Sequence, residues 1–140
     1  GGKTSISDGG EADPSWTLAW GLTAEKSPGA SLGHETTWLN GVFSMPLGKD
    51  LKLHANLGWT RAQSTHQSTT GWAVALERST ASGIDVMGEA FASDRDRAPW
   101  LQVGLRWAAV PEKVFVDGSW GFQTVSSRPR MLTVGLKAAF

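Results

Sequence analysis

Cysteine and tyrosine are both absent from this 140-residue chain. Without cysteine, neither a disulfide framework nor a thiolate metal site can hold the fold together. No stretch approaches the roughly 18 consecutive apolar residues that a membrane-spanning helix requires. The 13 basic and 13 acidic residues cancel, so the basic excess typical of a nucleic-acid-binding surface is missing. We therefore expect no nucleic-acid partner, and nothing in the sequence calls for a cofactor.

Alternation of apolar and polar residues is the main signal that is present, together with 17 glycines and eight tryptophans. A period of two is typical of a β-strand with two different faces. Turn-forming residues divide the chain after Ser15 into eight segments, most of which have this character. The segments cover residues 15–24, 36–46, 51–61, 70–78, 83–93, 99–110, 114–124 and 131–140. The second and fourth alternate less cleanly, and the faces of the fifth are ambiguous.

The segments predict an all-β fold, an antiparallel up-and-down transmembrane β-barrel of about eight strands. Residues 1–14 lack a period and are interpreted as a flexible lead-in, with the barrel domain covering 15–140. The breaks alternate between long and short along the chain. In an up-and-down meander this puts short turns at one end and long loops at the other, the asymmetry of outer-membrane barrels.

The composition of the two faces favours a membrane barrel over a soluble, lipocalin-like one. The polar face is largely glycine, alanine, serine, threonine, asparagine and glutamine, whereas a face in water should be dense in charge. Small residues at this density suit a narrow lumen. Tryptophan on the apolar face is expected near lipid headgroups. The predicted membrane-interface anchors are Trp16, Trp20, Trp59, Trp72, Trp107 and Trp120.

The charged residues of the polar columns lie mostly near the short-turn end. We predict that they form a mutually paired layer in the lumen, with Arg106 opposite Asp117, because unpaired ions in a closed lumen are costly. An eight-stranded lumen is just wide enough for side chains, so this layer predicts a plug and no open pore. The predicted lumen charge network is Lys52, His54, Glu77, Asp85, Glu89, Arg106, Asp117 and Lys137.

The last strand resembles the C-terminal signal of bacterial outer-membrane barrels, which the barrel-assembly machinery reads. Its residues are Leu132, Val134, Leu136 and the terminal Phe140. More loosely, residues 53–59, 88–91 and 100–107 resemble the C-terminal part of the meta-pathway phenol degradation barrel family. Members of that family are usually longer, so the chain is either a complete small barrel or part of a larger one.

The resemblance implies a location in the outer membrane of a Gram-negative bacterium, with a signal peptide already removed. It also implies outer-membrane lipid, lipopolysaccharide and the barrel-assembly machinery as partners. The charge run Asp94–Arg97 lies in a predicted external loop. A plain solvated loop explains this run better than contact with lipopolysaccharide or a protein partner.

Enzymatic chemistry has weak support in the sequence. The pair His66 and Ser68 with Glu77 is similar to the site of lipid A deacylase barrels, but it falls in a polar break. His54 has no second histidine at ligand spacing and is interpreted as structural. Pairing with bases explains Glu77, Asp85 and Glu89 more simply than cation binding or acid–base catalysis.

The sequence therefore predicts a non-enzymatic membrane barrel with a structural, adhesive or complex-forming role. A porin-like channel or transporter for small hydrophobic compounds is the second interpretation, by family analogy alone. A lipid-hydrolysing barrel and a soluble lipocalin-like barrel are the third and fourth.

Overall fold

A computed structural model describes residues 1–7, 13–25, 33–111 and 113–138. Within them the chain forms one antiparallel sheet of nine strands, in which each strand pairs with the next along the chain. The strands are β1 (Gly2–Ser7), β2 (Ser15–Glu25), β3 (Gly33–Pro46), β4 (Leu51–Ala62), β5 (Gln67–Ser79), β6 (Ile84–Ser93), β7 (Trp100–Val110), β8 (Val114–Gln123) and β9 (Arg130–Ala138). The predicted all-β, antiparallel, up-and-down architecture is confirmed.

The connections differ between the two ends of the sheet. Residues 47–50, 80–83 and 111–113 join strands at one end, which we call the short-turn end. Residues 26–32, 63–66, 94–99 and 124–129 join strands at the other, the long-loop end. For the connections after β2 the predicted asymmetry holds except at 63–66, where β4 and β5 extend further into the expected break, and the β1–β2 connection, residues 8–14, lies at the short-turn end. In the β5–β6 turn, Gly83 has a φ of 72°, in the left-handed region that glycine tolerates.

The first strand differs from the sequence-based expectation. Gly2–Ser7 was assigned to a flexible lead-in, yet it forms β1 and pairs with β2. The pairing is short and shifts register between Ser5 and Ser7. At this irregularity the Ser7 hydroxyl accepts a hydrogen bond from the Trp16 amide at 3.1 Å, which links the two strands. Alternation of apolar residues could not reveal a strand with so few of them.

The sheet stays open, with β1 and β9 at its edges and no pairing between them among the described residues. The predicted closed barrel of eight strands is therefore not what the structure contains. The reason is geometric. With nine strands in a meander, β1 and β9 run parallel, and β1 occupies the edge of β2 that an antiparallel β9 would need.

The register places the predicted columns on two separate faces. One row across the apolar face runs Trp16, Phe43, Ala55, Val74, Ala90, Leu101 and Phe122. One row across the polar face runs Ser44, His54, Ala75, Glu89, Gln102, Gly121 and Met131. The strand Gly83–Ser93, ambiguous from sequence, thus joins Val86 and Ala90 to the apolar face.

Burial is inverted with respect to a soluble protein. Only four of the described residues are buried, namely Gly21, Ala75, Gly104 and Gly121, and all four lie on the polar face. Ala75, with 6% exposure, is the only buried hydrophobic side chain among them. On the apolar face, Leu132, Val134 and Leu136 are 75–76% exposed. The large apolar side chains therefore do not converge on a dry core.

The accessible surface supports the same conclusion. It measures 9915 Å², about 40% more than the roughly 7000 Å² expected for a compact folded monomer of 14.9 kDa. Soluble monomers rarely expose an apolar patch larger than about 300–600 Å². Within the described ranges, no helix is long and apolar enough to cross a membrane.

Candidate functional site

The candidate site is the polar face of the sheet, where six of the eight predicted charged residues lie towards the short-turn end and His54 shares the next row with Glu89. Glu89 is one step further towards the long-loop end, opposite Gln102. In register, Lys52 stands opposite Glu77, and Arg106 stands between Asp85 and Asp117. These six residues, one from each strand from β4 to β9, lie in three neighbouring rows of the polar face, which we call the charge layer.

Arg106 and Asp117 form the strongest contact of the charge layer. The Arg106 Nε donates to Asp117 Oδ1 at 2.6 Å, as expected for a charge-assisted hydrogen bond. The two residues are directly opposite on β7 and β8, as the sequence predicted. Their side chains are 55% and 37% exposed in the open sheet, so solvent still screens the pair.

His54 is held between two polar side chains. Its Nδ1 lies 2.8 Å from the Ser44 hydroxyl, and its Nε2 lies 3.7 Å from Glu77 Oε2. Sequence alone did not single out Ser44, because serine is common on this face and only the β3–β4 register brings it opposite His54. The 3.7 Å separation is too long for a hydrogen bond, which fits a structural histidine better than a Ser–His–Glu triad.

The predicted mutual pairing is only partly present. Among the described residues, ion pairs join Arg106 to Asp117 and His54 to Glu77. Lys137 instead places its Nζ 5.9 Å from the centre of the Phe115 ring, opposite it on β8. No three histidine or acidic residues within the described ranges are grouped so as to hold a metal ion.

A hollow lies next to the charge layer, towards the long-loop end. It has a volume of about 510 Å³ and is lined by polar-face residues from β3 to β7, among them Asn40, Asn56, Glu89, Phe91 and Gln102. Sequence analysis did not identify it, because its residues are far apart in the chain and only the register assembles them. The signal that was available is Gly58 and Gly71, two residues without side chains in adjacent polar columns.

The charge run at the long-loop end is more ordered than a solvated loop. Arg95 donates from Nε to the Thr69 hydroxyl and from its terminal nitrogen to the Ser68 carbonyl, both at 2.8 Å. Asp96 Oδ2 accepts hydrogen bonds from the hydroxyl and amide of Ser93 at 2.7 and 2.6 Å. These bonds from Ser93, the hydroxyl first, hold the pKa of Asp96 below its usual value.

The residues of the suggested lipid hydrolase do not meet. His66 occupies the tight 63–66 turn with a φ of 52°. Ser68 and Glu77 both lie on β5, but an odd spacing of nine residues puts them on opposite faces. They are also separated by about 30 Å along the strand. This arrangement gives no support for a nucleophile and its base.

All six predicted tryptophan anchors lie on the apolar face. Trp16, Trp20, Trp72, Trp107 and Trp120 are among the exposed large hydrophobic residues of that face. Trp59 is half-buried there, beside Leu39 of β3. Of the predicted assembly signal, Leu132, Val134 and Leu136 project from the same face of β9, and Phe140 lies outside the described residues.

Two further tryptophans face the other way. Trp38 lies on the polar face, and its ring packs so closely over Gly21 that a Cβ there would approach it to 2.5 Å. Trp100 also lies on the polar face and stacks against Phe91, with 6.3 Å between ring centres and 7° between planes. Neither is among the predicted anchors.

Comparisons with protein-family models, curated proteins and solved structures found no match. Function is therefore inferred from the residues and their geometry.

Proposed function

We propose that this chain is an integral outer-membrane β-barrel of eight strands with a non-enzymatic, structural or complex-forming role, its lumen plugged by the charge layer. The observation that carries this proposal is the inverted burial. All four buried residues are on the polar face, while leucine, valine and tryptophan project outwards. Lipid is the surrounding that stabilises such an exterior.

The dimensions of the apolar face fit a bilayer. On β4 the apolar column runs from Leu51 to Trp59, and the next residue on that face is Arg61. From Leu51 to Trp59 the strand rises about 26 Å, which at the tilt of about 41° derived below spans about 20 Å along the membrane normal. The distance from Leu51 to Arg61 spans about 25 Å. An apolar band of about 25 Å is typical of outer-membrane barrels.

Closure requires β9 to replace β1 on the edge of β2. The row through Trp16 meets β9 at Arg130. We propose the register that pairs Leu18 with Ala138 and Trp20 with Leu136, a stagger of ten residues. Every apolar residue then meets an apolar residue, because both strands keep their faces.

The resulting geometry is that of a real barrel. A stagger of ten residues around eight strands, with about 3.3 Å per residue and about 4.8 Å between strands, gives a tilt of about 41°. Membrane barrels of this class tilt by about 35–45°. The proposed register therefore gives a tilt within the range of membrane barrels.

The alternatives fit less well. A soluble lipocalin-like barrel would turn its apolar face inwards, opposite to the exposure of Leu132, Val134 and Leu136. A lipid hydrolase has no assembled catalytic group at Ser68 and Glu77. A porin-like channel or transporter for hydrophobic compounds needs an open lumen, which the charge layer would obstruct. Outer-membrane lipid, lipopolysaccharide and the barrel-assembly machinery remain the proposed partners.

Disulfide trapping tests the closure directly, because the natural chain has no cysteine. Ala19 pairs with Lys3 on β1 in the open sheet, and with Lys137 on β9 in the proposed barrel. We expect the A19C/K137C variant to crosslink after folding into detergent or lipid, and the matched K3C/A19C variant to lose its crosslink there. All three side chains are on the polar face, so the lipid-facing surface is unchanged.

Persistent crosslinking of K3C/A19C in lipid, with none in A19C/K137C, would contradict the eight-stranded barrel. Mass spectrometry of the non-reduced protein measures both outcomes.

A further inference from the structure

In the proposed barrel the charge layer would block the lumen at the short-turn end, and the lumen would be open at the long-loop end. The charge layer lies towards the short-turn end, whereas the hollow of about 510 Å³ lies on the other side of it. The hollow reaches Thr60 and Thr69, which face each other near the long-loop end. Its volume is within the range of about 300–1000 Å³ that small-molecule sites occupy.

The hollow is present because two facing positions carry glycine and therefore have no side chain. Gly58 and Gly71 are directly opposite on β4 and β5, and the next pair towards the charge layer is Asn56 and Ala73. Gly71 has ordinary backbone angles, and a Cβ there would meet only the Ala92 carbonyl oxygen at 3.5 Å. Backbone geometry therefore does not demand glycine at this position, and its effect is to leave room.

One residue of the lining, Asn56, has a buried side-chain oxygen without a hydrogen-bond partner among the described residues. The amides of Asn40 and Gln102 and the carboxylate of Glu89 also line the hollow. A buried polar oxygen left unpaired is costly, so these groups favour an occupant that supplies hydrogen-bond donors and acceptors.

The charged and aromatic residues that line the hollow indicate which class of ligand it would bind. Within the described residues, the lining contains Glu89 and Asp96 but no lysine, arginine or histidine. Asp96 is already bonded to Ser93. An anionic ligand would therefore meet repulsion without compensation. Phe91, kept in place by its stacking on Trp100, adds an apolar surface to the lining.

We propose that the hollow binds a neutral polyhydroxylated ligand of the size of a mono- or disaccharide, entering from the long-loop end. Sugar hydroxyls both donate and accept hydrogen bonds, which suits the amides of Asn40, Asn56 and Gln102. The C–H face of a sugar ring packs against an aromatic ring such as Phe91. The site rests on the proposed barrel, since closure is what turns the hollow into a cup.

The test uses the folded chain in detergent and titrates glucose, galactose, N-acetylglucosamine and maltose by calorimetry and ligand-observed NMR. Glucuronate serves as the anionic probe. We expect at least one neutral sugar to bind and glucuronate to bind at least tenfold more weakly. G71L fills the hollow and should abolish binding, and N56A should weaken it about tenfold, as expected for one hydrogen bond to a buried group.

G88A is the matched control, because Gly88 lies on the apolar face with open space around it. Circular dichroism shows whether each variant folds, and G71A is a smaller change if G71L does not fold. Absence of binding by every neutral probe to the folded chain, equal binding of glucuronate, or full binding by folded G71L would overturn the site.

The A19C/K137C crosslink, recorded on the same preparation, separates the two proposals. A crosslink without sugar binding removes the site and leaves the barrel standing. Sugar binding that G71L abolishes, without a crosslink, removes the barrel and retains a site on the concave sheet.

Discussion

At the scale of single residues, the contact between Arg106 and Asp117 is the best defined in the charge layer. At 2.6 Å it has the geometry of a strong charge-assisted hydrogen bond, yet both side chains are partly exposed in the open sheet. Exposed pairs contribute about 0.2–1 kcal/mol. A closed lumen excludes water and strengthens the same contact, so its coupling energy reports on closure.

We expect a double-mutant cycle of R106Q and D117N to give a coupling energy of about 1 kcal/mol or more in lipid. Urea unfolding of the lipid-embedded protein measures it. A cycle of R106Q with E89Q is the control, because Glu89 stands opposite Gln102 and Ala75 instead. Equal coupling in the two cycles would contradict the register of the charge layer.

Asp96 gives a prediction about pH. Its folded pKa lies below the usual value of about 3.9 because Ser93 donates two hydrogen bonds to the carboxylate. The unfolded chain therefore binds the proton more readily, so these bonds stabilise the loop above pH about 4 and stop doing so as the pH falls through the lowered pKa.

S93A should raise the pKa of Asp96 towards its usual value, because the hydroxyl donor is lost. NMR titration of the side-chain carboxyl measures the change, with S127A in the neighbouring loop as the control. An unchanged pKa in S93A would show that the hydroxyl does not bond to Asp96 in solution.

At the scale of the strands, the faces were predictable from the sequence and the edges were not. Columns such as Leu101, Val103 and Leu105 against Gln102, Gly104 and Arg106 depend only on the period of two, which every strand obeys. β1 contains the single large apolar residue Ile6, so nothing in its composition shows a strand. Its pairing depends on the edge of β2, which is a tertiary property.

The candidate site was predictable to a similar degree. The charged positions share one face because their spacing along each strand is even, and Arg106 faces Asp117 because of the short turn between β7 and β8 together with the register shift between Ala108 and Val110. The contact between Ser44 and His54 needs the register of β3 and β4 as well. The hollow needs five strands in register, and no local pattern contains that information.

The apolar face gives the sharpest prediction for a strand. Val134 is 75% exposed, and replacement of an exposed residue in water usually changes stability by less than about 0.5 kcal/mol. In a lipid-embedded barrel, lysine near the middle of the apolar band costs about 2–4 kcal/mol. V134K should therefore be strongly destabilising despite the exposure of the site.

T133K is the matched control, one residue away on the polar face. Guanidinium unfolding in lipid vesicles compares the two variants. If V134K were no more destabilised than T133K, lipid would not contact this face of β9.

At the scale of the whole molecule, the open sheet cannot be the final state of the chain in water. Its accessible surface of 9915 Å² is too large for a compact monomer of this mass, and the excess includes apolar side chains of β2 and β9. An isolated sheet with one such face and two free edges is a template for aggregation. The closure in lipid that we propose would cover this face and remove both edges.

The closed molecule should conduct no ions. Eight strands enclose a lumen that side chains fill or that holds one small ligand, and the charge layer contributes long side chains from Lys52, Arg106 and Lys137. Planar-bilayer recordings should show no current steps with the natural chain. Steps should appear when these three residues are replaced by glycine, provided that the variant still folds. Stable steps from the natural chain would contradict the plug and favour the porin-like alternative.

The four shielded positions have a consequence for how the chain tolerates change. These positions carry the two smallest residue types and lie on the polar face, which the proposed barrel turns towards its lumen. They are Gly21, Ala75, Gly104 and Gly121. Larger side chains would therefore be selected against at these four positions, whereas the polarity of the side chain would matter little. On the opposite side, bulk would be free to vary and ionisation would be forbidden. If every strand residue were replaced in turn, large side chains would destabilise the protein on the polar face and charged side chains would destabilise it on the apolar face. The two effects would alternate along each strand.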